Sequence, residues 1–156
     1  MKPVLAAADV ATVEKAWASN QAGGEGTWPL MEAAGKAIAR AVEALVSEGG
    51  VWGLAGKGNN GGDGYVAAWH LHQAGFDVCL IAPLGPSRPG TDAERARQQW
   101  LSVGGEQETL PESAPVAIVD ALLGSGQRGA LAKPLAGMVA FWATRTAARR
   151  RLAEIP

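Results

Sequence analysis

A chain of 156 residues with 47% hydrophobic and 19% charged side chains fits one soluble domain, large enough to bury ~68–70% of its surface on folding. Its formal net charge of −1 argues against nucleic acid and anionic membranes as partners, and no apolar run reaches the length of a membrane span. The single Cys79, set between Val78 and Leu80, excludes an intramolecular disulfide framework and predicts core packing in a reducing, cytoplasmic setting; Val4 to Ala8 is too short for a secretory apolar region.

In chain order, a helix is predicted from Asp9 to Asn20, with Val10, Val13 and Trp17 on one face, and Gln21 to Gly26 break it. Pro29 stands near the start of a second helix. There Leu30, Ala34, Ile38, Val42 and Leu45 recur at helical spacing until Gly49 and Gly50. The pattern then alternates: strand Val51 to Ala55, helix Tyr65 to Ala74, strand Asp77 to Ala82, helix Asp92 to Val103, strand Val116 to Asp120 and helix Pro134 to Ala143. Alternation of this kind predicts an α/β fold with a parallel sheet, helices on both faces and a ligand crevice at the C-terminal strand ends. Gly85 to Gly90 reads as a solvated surface loop, and so does Gly104 to Pro115. Trp28, Trp69 and Trp100 read as packing residues.

The most informative stretch is GKGNNGGDG, Gly56 to Gly64, between the first strand and its helix. Read as a loop, its glycines permit positive φ and bare backbone, so that N–H groups converge on an anion beside a helix N-terminus. Asn59, Asn60 and Asp63 add side-chain oxygens, and Lys57 a nearby point charge. A second glycine segment runs from Asp120 to Gly129, at the end of the strand Val116 to Asp120. In it Gly124, Ser125 and Gly126 can present N–H groups and a hydroxyl to phosphate, and Arg128 a bidentate charged contact. Taken alone, Asp120 also reads as a cap or turn acid and Arg128 as a solvated surface residue.

Gly56, Gly58 and Gly61 satisfy the dinucleotide pattern G-x-G-x-x-G, with Asp77 near the ribose-binding distance. In that arrangement the acid ends the second strand, whereas Asp77 begins one, so hydride-transfer chemistry is disfavoured while a nucleotide ligand is retained. His70 and His72, two positions apart on a helix, point in different directions and do not form a metal pair.

Leu30-Met31-Glu32-Ala33-Ala34-Gly35, GKGNNGGDG and Asp120-Ala121-Leu122-Leu123-Gly124-Ser125-Gly126 together closely resemble the YjeF N-terminal domain family in order and spacing, to about Lys133. The resemblance implies a single Rossmann-like three-layer α/β/α sandwich with a mostly parallel sheet. It implies epimerisation of the R and S forms of hydrated NADH and NADPH (NADHX and NADPHX), a step of nicotinamide cofactor repair. Carried over by position, it assigns Asn59, Asn60, Gly61, Gly62, Asp63, Gly124, Ser125, Gly126, Gln127, Arg128, Gly129 and Ala130 to the substrate. Asn60 and Asp120 go to a potassium ion. A separate dehydratase acting on the S form and self-association as a homodimer are implied too. Relatives of this fold also serve as scaffolds, so a catalytically silent nucleotide-binding module is the alternative.

The family continues to a strand ending in Asp-Ile-Pro-Ser-Gly, whose Asp meets the substrate. Here Glu154-Ile155-Pro156 stands at nearly that distance from Asp120, which puts Glu154 at the Asp position and leaves the Ser and Gly absent. A truncated or altered product, incomplete at its C-terminus, is therefore expected. Arg149, Arg150 and Arg151 would not sit in a sheet interior, and a solvated, frayed tail is the preferred reading. Glu154 is one candidate catalytic acid or base, and Asp120, the remaining acid near the ligand, reads either as the base or only as a cation ligand.

Overall fold

Gly50–Ala55 is a run of small and apolar residues with no charge, and as strand β1 it is buried along nearly its whole length. A strand hidden on both faces needs neighbours on both edges and layers above and below. In this computed structural model, which describes residues 7–20, 26–105, 109 and 114–124, β1 is the centre of a parallel sheet of order β2-β1-β3, with β2 at Asp77–Ile81 and β3 at Ala117–Ala121. Gly50 pairs with Asp77 and Leu54 with Ile81 on one side; Val51 pairs with Ala117 and Leu54 with Asp120 on the other. The chain is therefore α/β with a parallel sheet, as its alternating pattern predicts.

The helices are α1 (Ala7–Ser19), α2 (Trp28–Leu45), α3 (Asn59–Gln73) and α4 (Asp92–Leu101). Period two divides each strand between two faces. Val51 and Ala55, with Val78 and Leu80 and the partly buried Ala117 and Val119, form one core with Tyr65, Val66 and Leu71 of α3. Met31, Ala39 and Val42 of α2 and Ala93, Ala96 and Trp100 of α4 complete it. Thus α3 lies on the sheet with α2 and α4 packed against it. On the opposite face Trp52, Leu54, Cys79 and Ile81 are also buried, and the Cys79 thiol donates to the Thr109 carbonyl at 3.6 Å. Burial, with a smaller contribution from the Asp77 charge, pushes that thiol up to about 11, the behaviour of an inert core cysteine.

Where α2 crosses α3 the backbones come close. A Cβ on Gly35 would fall 2.4 Å from Val66 Cβ and 2.8 Å from the Asp63 carbonyl oxygen. The tryptophans pack as expected: Trp28 and Trp100 are buried, Trp69 is half-buried, and the Arg95 guanidinium lies 4.0 Å from the Trp28 ring centroid. Thr91 caps α4 by accepting from Glu94 N at 3.2 Å, a Thr-x-x-Glu helix start.

The main departure from expectation is at α3. It begins at Asn59 instead of Tyr65, so most of the predicted glycine loop is helix. None of Gly56, Gly58, Gly61, Gly62 and Gly64 has positive φ. Three helical glycines forfeit roughly 1 kcal/mol each against alanine, and close packing is what makes Gly61 and Gly64 necessary here. Other ends differ by one or two residues: α2 starts at Trp28 with Pro29 in its first turn, and α4 stops at Leu101 before Gly104 at φ +76°. The predicted helix Pro134 to Ala143 lies outside the described residues. Those residues fall within one compact unit, Met1–Gly126.

Candidate functional site

The C-terminal end of β1 turns directly into α3, and the glycines decide how tightly. Gly56 N donates to the Ala121 carbonyl at 3.0 Å, and a Cβ on Gly56 would lie 2.0 Å from the Leu122 carbonyl oxygen. A Cβ on Gly61 would lie 1.9 Å from the carbonyl oxygen of Gly56, and one on Gly64 would meet Ala121 Cβ at 2.6 Å. Each clash is with backbone or a stub side chain that cannot swing away. Glycine is therefore required for the head of α3 to settle against the ends of β1 and β3.

That packing brings the two sequence motifs together. Asn60, half-buried in the first turn of α3, donates from Nδ2 to the Leu123 carbonyl at 3.0 Å. A Cβ on Gly124 would sit 3.3 Å from Asn60 Cβ, so that glycine lies directly against the asparagine. Asp120 precedes this contact by a few residues, at the end of β3, and is exposed. Its Oδ1 accepts from Leu122 N at 3.1 Å, which holds the turn after the strand and leaves the second oxygen without a hydrogen bond among the described residues. With Nδ2 of Asn60 engaged, its Oδ1 is the acceptor left for a ligand.

The remaining motif residues spread around the helix. Gly61 and Gly62 are buried, the latter against Met31 and Ala93. Asn59 is exposed. Asp63 lines a hollow of about 90 Å³ with Glu14 of α1 and Thr27, Leu30, Met31 and Ala34 at the start of α2. Burial first, and then the Glu14 carboxylate, push Asp63 up to about 6. The sequence gives no warning of this proton affinity, because Glu14 lies on a different element. Ser125, Gly126, Gln127, Arg128, Gly129, Ala130 and Glu154 lie outside the described residues.

Two expectations about other residues are settled by geometry. Asp77 begins β2 and is exposed, so no acid stands at that strand's end where the dinucleotide fingerprint places one. His70 and His72 part ways: His70 meets Trp69 edge-on at 5.0 Å and His72 meets Trp100 at 6.0 Å. Burial, ahead of the Lys36 charge, lowers the His70 pKa. Among the described residues no three His, Cys, Asp or Glu side chains cluster to hold a metal. No helix among them is long and apolar enough to cross a membrane. Two expectations need correction: Gly104 to Pro115 is not wholly solvated, since Gly105 and Pro115 are buried, and neither is Gly85 to Gly90, since Ser87 within it is 3% exposed. The two prolines and Arg88 around it concealed a buried hydroxyl.

Known proteins resemble this chain. An NAD(P)H-hydrate epimerase of Bordetella bronchiseptica is 46% identical over 110 residues, which cover 69% of this chain and 46% of that protein. A bifunctional NAD(P)H-hydrate repair enzyme of Archaeoglobus fulgidus is 45% identical over 111 residues, 67% of this chain and 22% of the longer one. The chain thus spans about half the length of the Bordetella relative. In fold it is similar to the crystal structure of yeast ynu0, YNL200c, with a TM-score of 0.65 and 21% identity over 88% of this chain and 63% of that one. The family model described as YjeF-related protein N-terminus matches residues 28–149, the stretch that carries α2, the glycine-lined head of α3 and the end of β3, and the chain belongs to that family.

Proposed function

We propose that this chain epimerises the R and S forms of NADHX and NADPHX, with the substrate held where the head of α3 meets the end of β3. The observation that carries the reading is the Asn60 to Leu123 hydrogen bond, which ties the NNGGD segment to the segment after Asp120. Two motifs far apart in sequence are thereby presented to one ligand. The names of the Bordetella and Archaeoglobus relatives support the same substrate class.

The residues present fit a potassium ion. Asn60 Oδ1 and the second oxygen of Asp120 are hard, weakly basic donors of the kind that replace an alkali cation's hydration shell. Such an ion would supply positive charge to the dinucleotide or fix the two segments relative to each other. The chain's own residues do the rest. Amides at the start of α3 favour the anionic part of the ligand through the helix dipole. Asp120, exposed and anchored by its own turn, is positioned to accept or return a proton as the hydroxyl-bearing carbon inverts. Asn59, Gly61, Gly62 and Asp63 complete the NNGGD segment assigned to the substrate, followed by Gly124. Ser125 to Ala130 and Glu154 keep their assigned roles as candidates.

Repair of the cofactor requires a dehydratase to consume the S form. In the bifunctional relatives the matched segment is a minor part of a longer chain. A separate cytoplasmic enzyme fills that role in this reading, and a homodimer through α1, where Val13 is 55% exposed, is compatible with it. The test is to add purified chain to S-NADHX and follow both epimers with potassium present and absent. Approach to the equilibrium ratio, faster with potassium, supports the proposal. An unchanged ratio in both leaves the silent nucleotide-binding module.

A further inference from the structure

A second hollow flanks the head of α3 on the β2 side, away from Asn60 and Leu123. Its volume is about 600 Å³, inside the range that ligand pockets occupy, and Lys57, Gly58, Asn59, Ser87, Arg88 and Thr91 are among its lining residues. Because β1 lies between β2 and β3, this hollow and the Asn60 site open on either side of one turn.

Its chemistry suits an anion. Ser87 is 3% exposed and its Oγ has no hydrogen-bond partner among the described residues, an expense of desolvation that a bound acceptor would relieve. The N-cap of α3 is Gly58, which brings no capping side chain, and the first turn contains no acid. The first helical bond runs from Gly62 N to the Gly58 carbonyl, so the amides of Asn59, Asn60 and Gly61 have no intrahelical carbonyl. Lys57 lies across Gly85, where a Cβ would be 3.8 Å from its Nζ. Neither Lys57 nor Arg88 is ion-paired among the described residues. The two acids of α4's first turn are engaged elsewhere and do not line the hollow: Asp92 accepts from Thr27 Oγ1, and Glu94 pairs with Arg97 at 3.3 Å.

We propose that this hollow is a phosphate subsite for the dinucleotide, with Arg88 and Lys57 supplying charge and Ser87 Oγ donating to a phosphate oxygen. The inference rests on the dinucleotide reading above and deepens it. The phosphate is either the pyrophosphate common to both substrates or the 2′-phosphate that only NADPHX carries, and the same recognition chemistry serves both.

The probes are ADP and 2′,5′-ADP, titrated calorimetrically into the wild-type chain, R88Q, K57Q and S87A. R88Q raises the Kd by about tenfold, as expected for loss of a charge-assisted contact. A rise for both probes assigns the pyrophosphate, and a rise confined to 2′,5′-ADP assigns the 2′-phosphate. S87A weakens binding yet raises the thermal midpoint of the free protein, because it removes an unpartnered buried hydroxyl. A merely structural serine would not move the two readouts in opposite directions. Failure of the wild type to bind either probe, or unchanged Kd values in all three variants, overturns the subsite. If those variants bind normally while the wild type epimerises NADHX, the subsite fails and the function stands. If the wild type is silent but R88Q still loses the probe, the reverse holds.

Discussion

Gly61→Ala puts the packing argument at greatest risk. The new methyl would sit 1.9 Å from the Gly56 carbonyl oxygen, 2.6 Å from its carbon and 2.8 Å from its nitrogen. All three are backbone atoms in a strand-to-helix turn pinned by the Gly56 N to Ala121 bond at 3.0 Å, so relief requires α3 to lift from β1. Overpacking costs about 1–3 kcal/mol when side chains can adjust, and a main-chain obstacle belongs at the upper end. Helix propensity returns ~1 kcal/mol of this. A net loss of about 2 kcal/mol follows, a fall in the midpoint of thermal unfolding of about 8 °C for a chain of this size. Two neighbours act as controls. Gly62→Ala meets the mobile tip of Met31 at 2.5 Å, with Ala93 Cα at 3.0 Å, and costs about 1 kcal/mol or less. Gly58→Ala meets nothing within 4 Å and loses only N-cap preference, also below about 1 kcal/mol. Denaturant unfolding followed by tryptophan fluorescence ranks the three. A Gly61→Ala variant as stable as Gly58→Ala would refute the close-approach account.

Asn60→Leu removes the Nδ2 bond to Leu123, and a loss of about 1 kcal/mol is expected in denaturant melts, with a raised potassium requirement in the epimer assay. Asp63→Asn reports on the carboxyl raised to about 6 from an ordinary 3.8. The folded state holds that proton more tightly than the unfolded chain, so the stability linked to it is full below pH 3.8 and is lost as pH rises to about 6. Wild type and variant should therefore unfold alike near pH 3.5, and the variant should be the more stable at pH 7; parallel pH profiles would contradict this. Thr91→Ala removes the α4 cap, at a cost of about 1 kcal/mol by the same melts. Asp120→Asn keeps the turn's acceptor but not the charge, and a fall in epimerisation rate of about 100-fold is expected from loss of a positioned acid or base.

Much of this architecture was legible in the amino-acid order. The apolar run of β1 and the helical spacing of Leu30, Ala34, Ile38 and Val42 mark elements that the structure contains within a few residues. The acid at the end of β3 stands where alternation puts a strand terminus. What local reasoning missed depends on approach between distant backbones. Glycine's poor helix propensity argued for a loop from Gly56 to Gly64, yet Gly61 and Gly64 are in a helix because a neighbouring strand end leaves no room for a methyl. The proton affinity of Asp63 has the same origin, since tertiary packing buries its carboxyl and, as the smaller cause, brings Glu14 near. Ser87 looked solvated among Pro86, Arg88 and Pro89, and only the fold of the connection buries it.

The proposed site requires Asn60 and Asp120 to serve one cation beside one dinucleotide. Crystals of the chain grown with ADP-ribose and soaked in thallium(I), a surrogate for potassium with strong anomalous scattering, test this directly. One anomalous peak is expected, coordinated by Asn60 Oδ1 and the Asp120 carboxylate and adjacent to the ligand. Ligand bound with no peak there, or a peak touching only one of the two side chains, would contradict it.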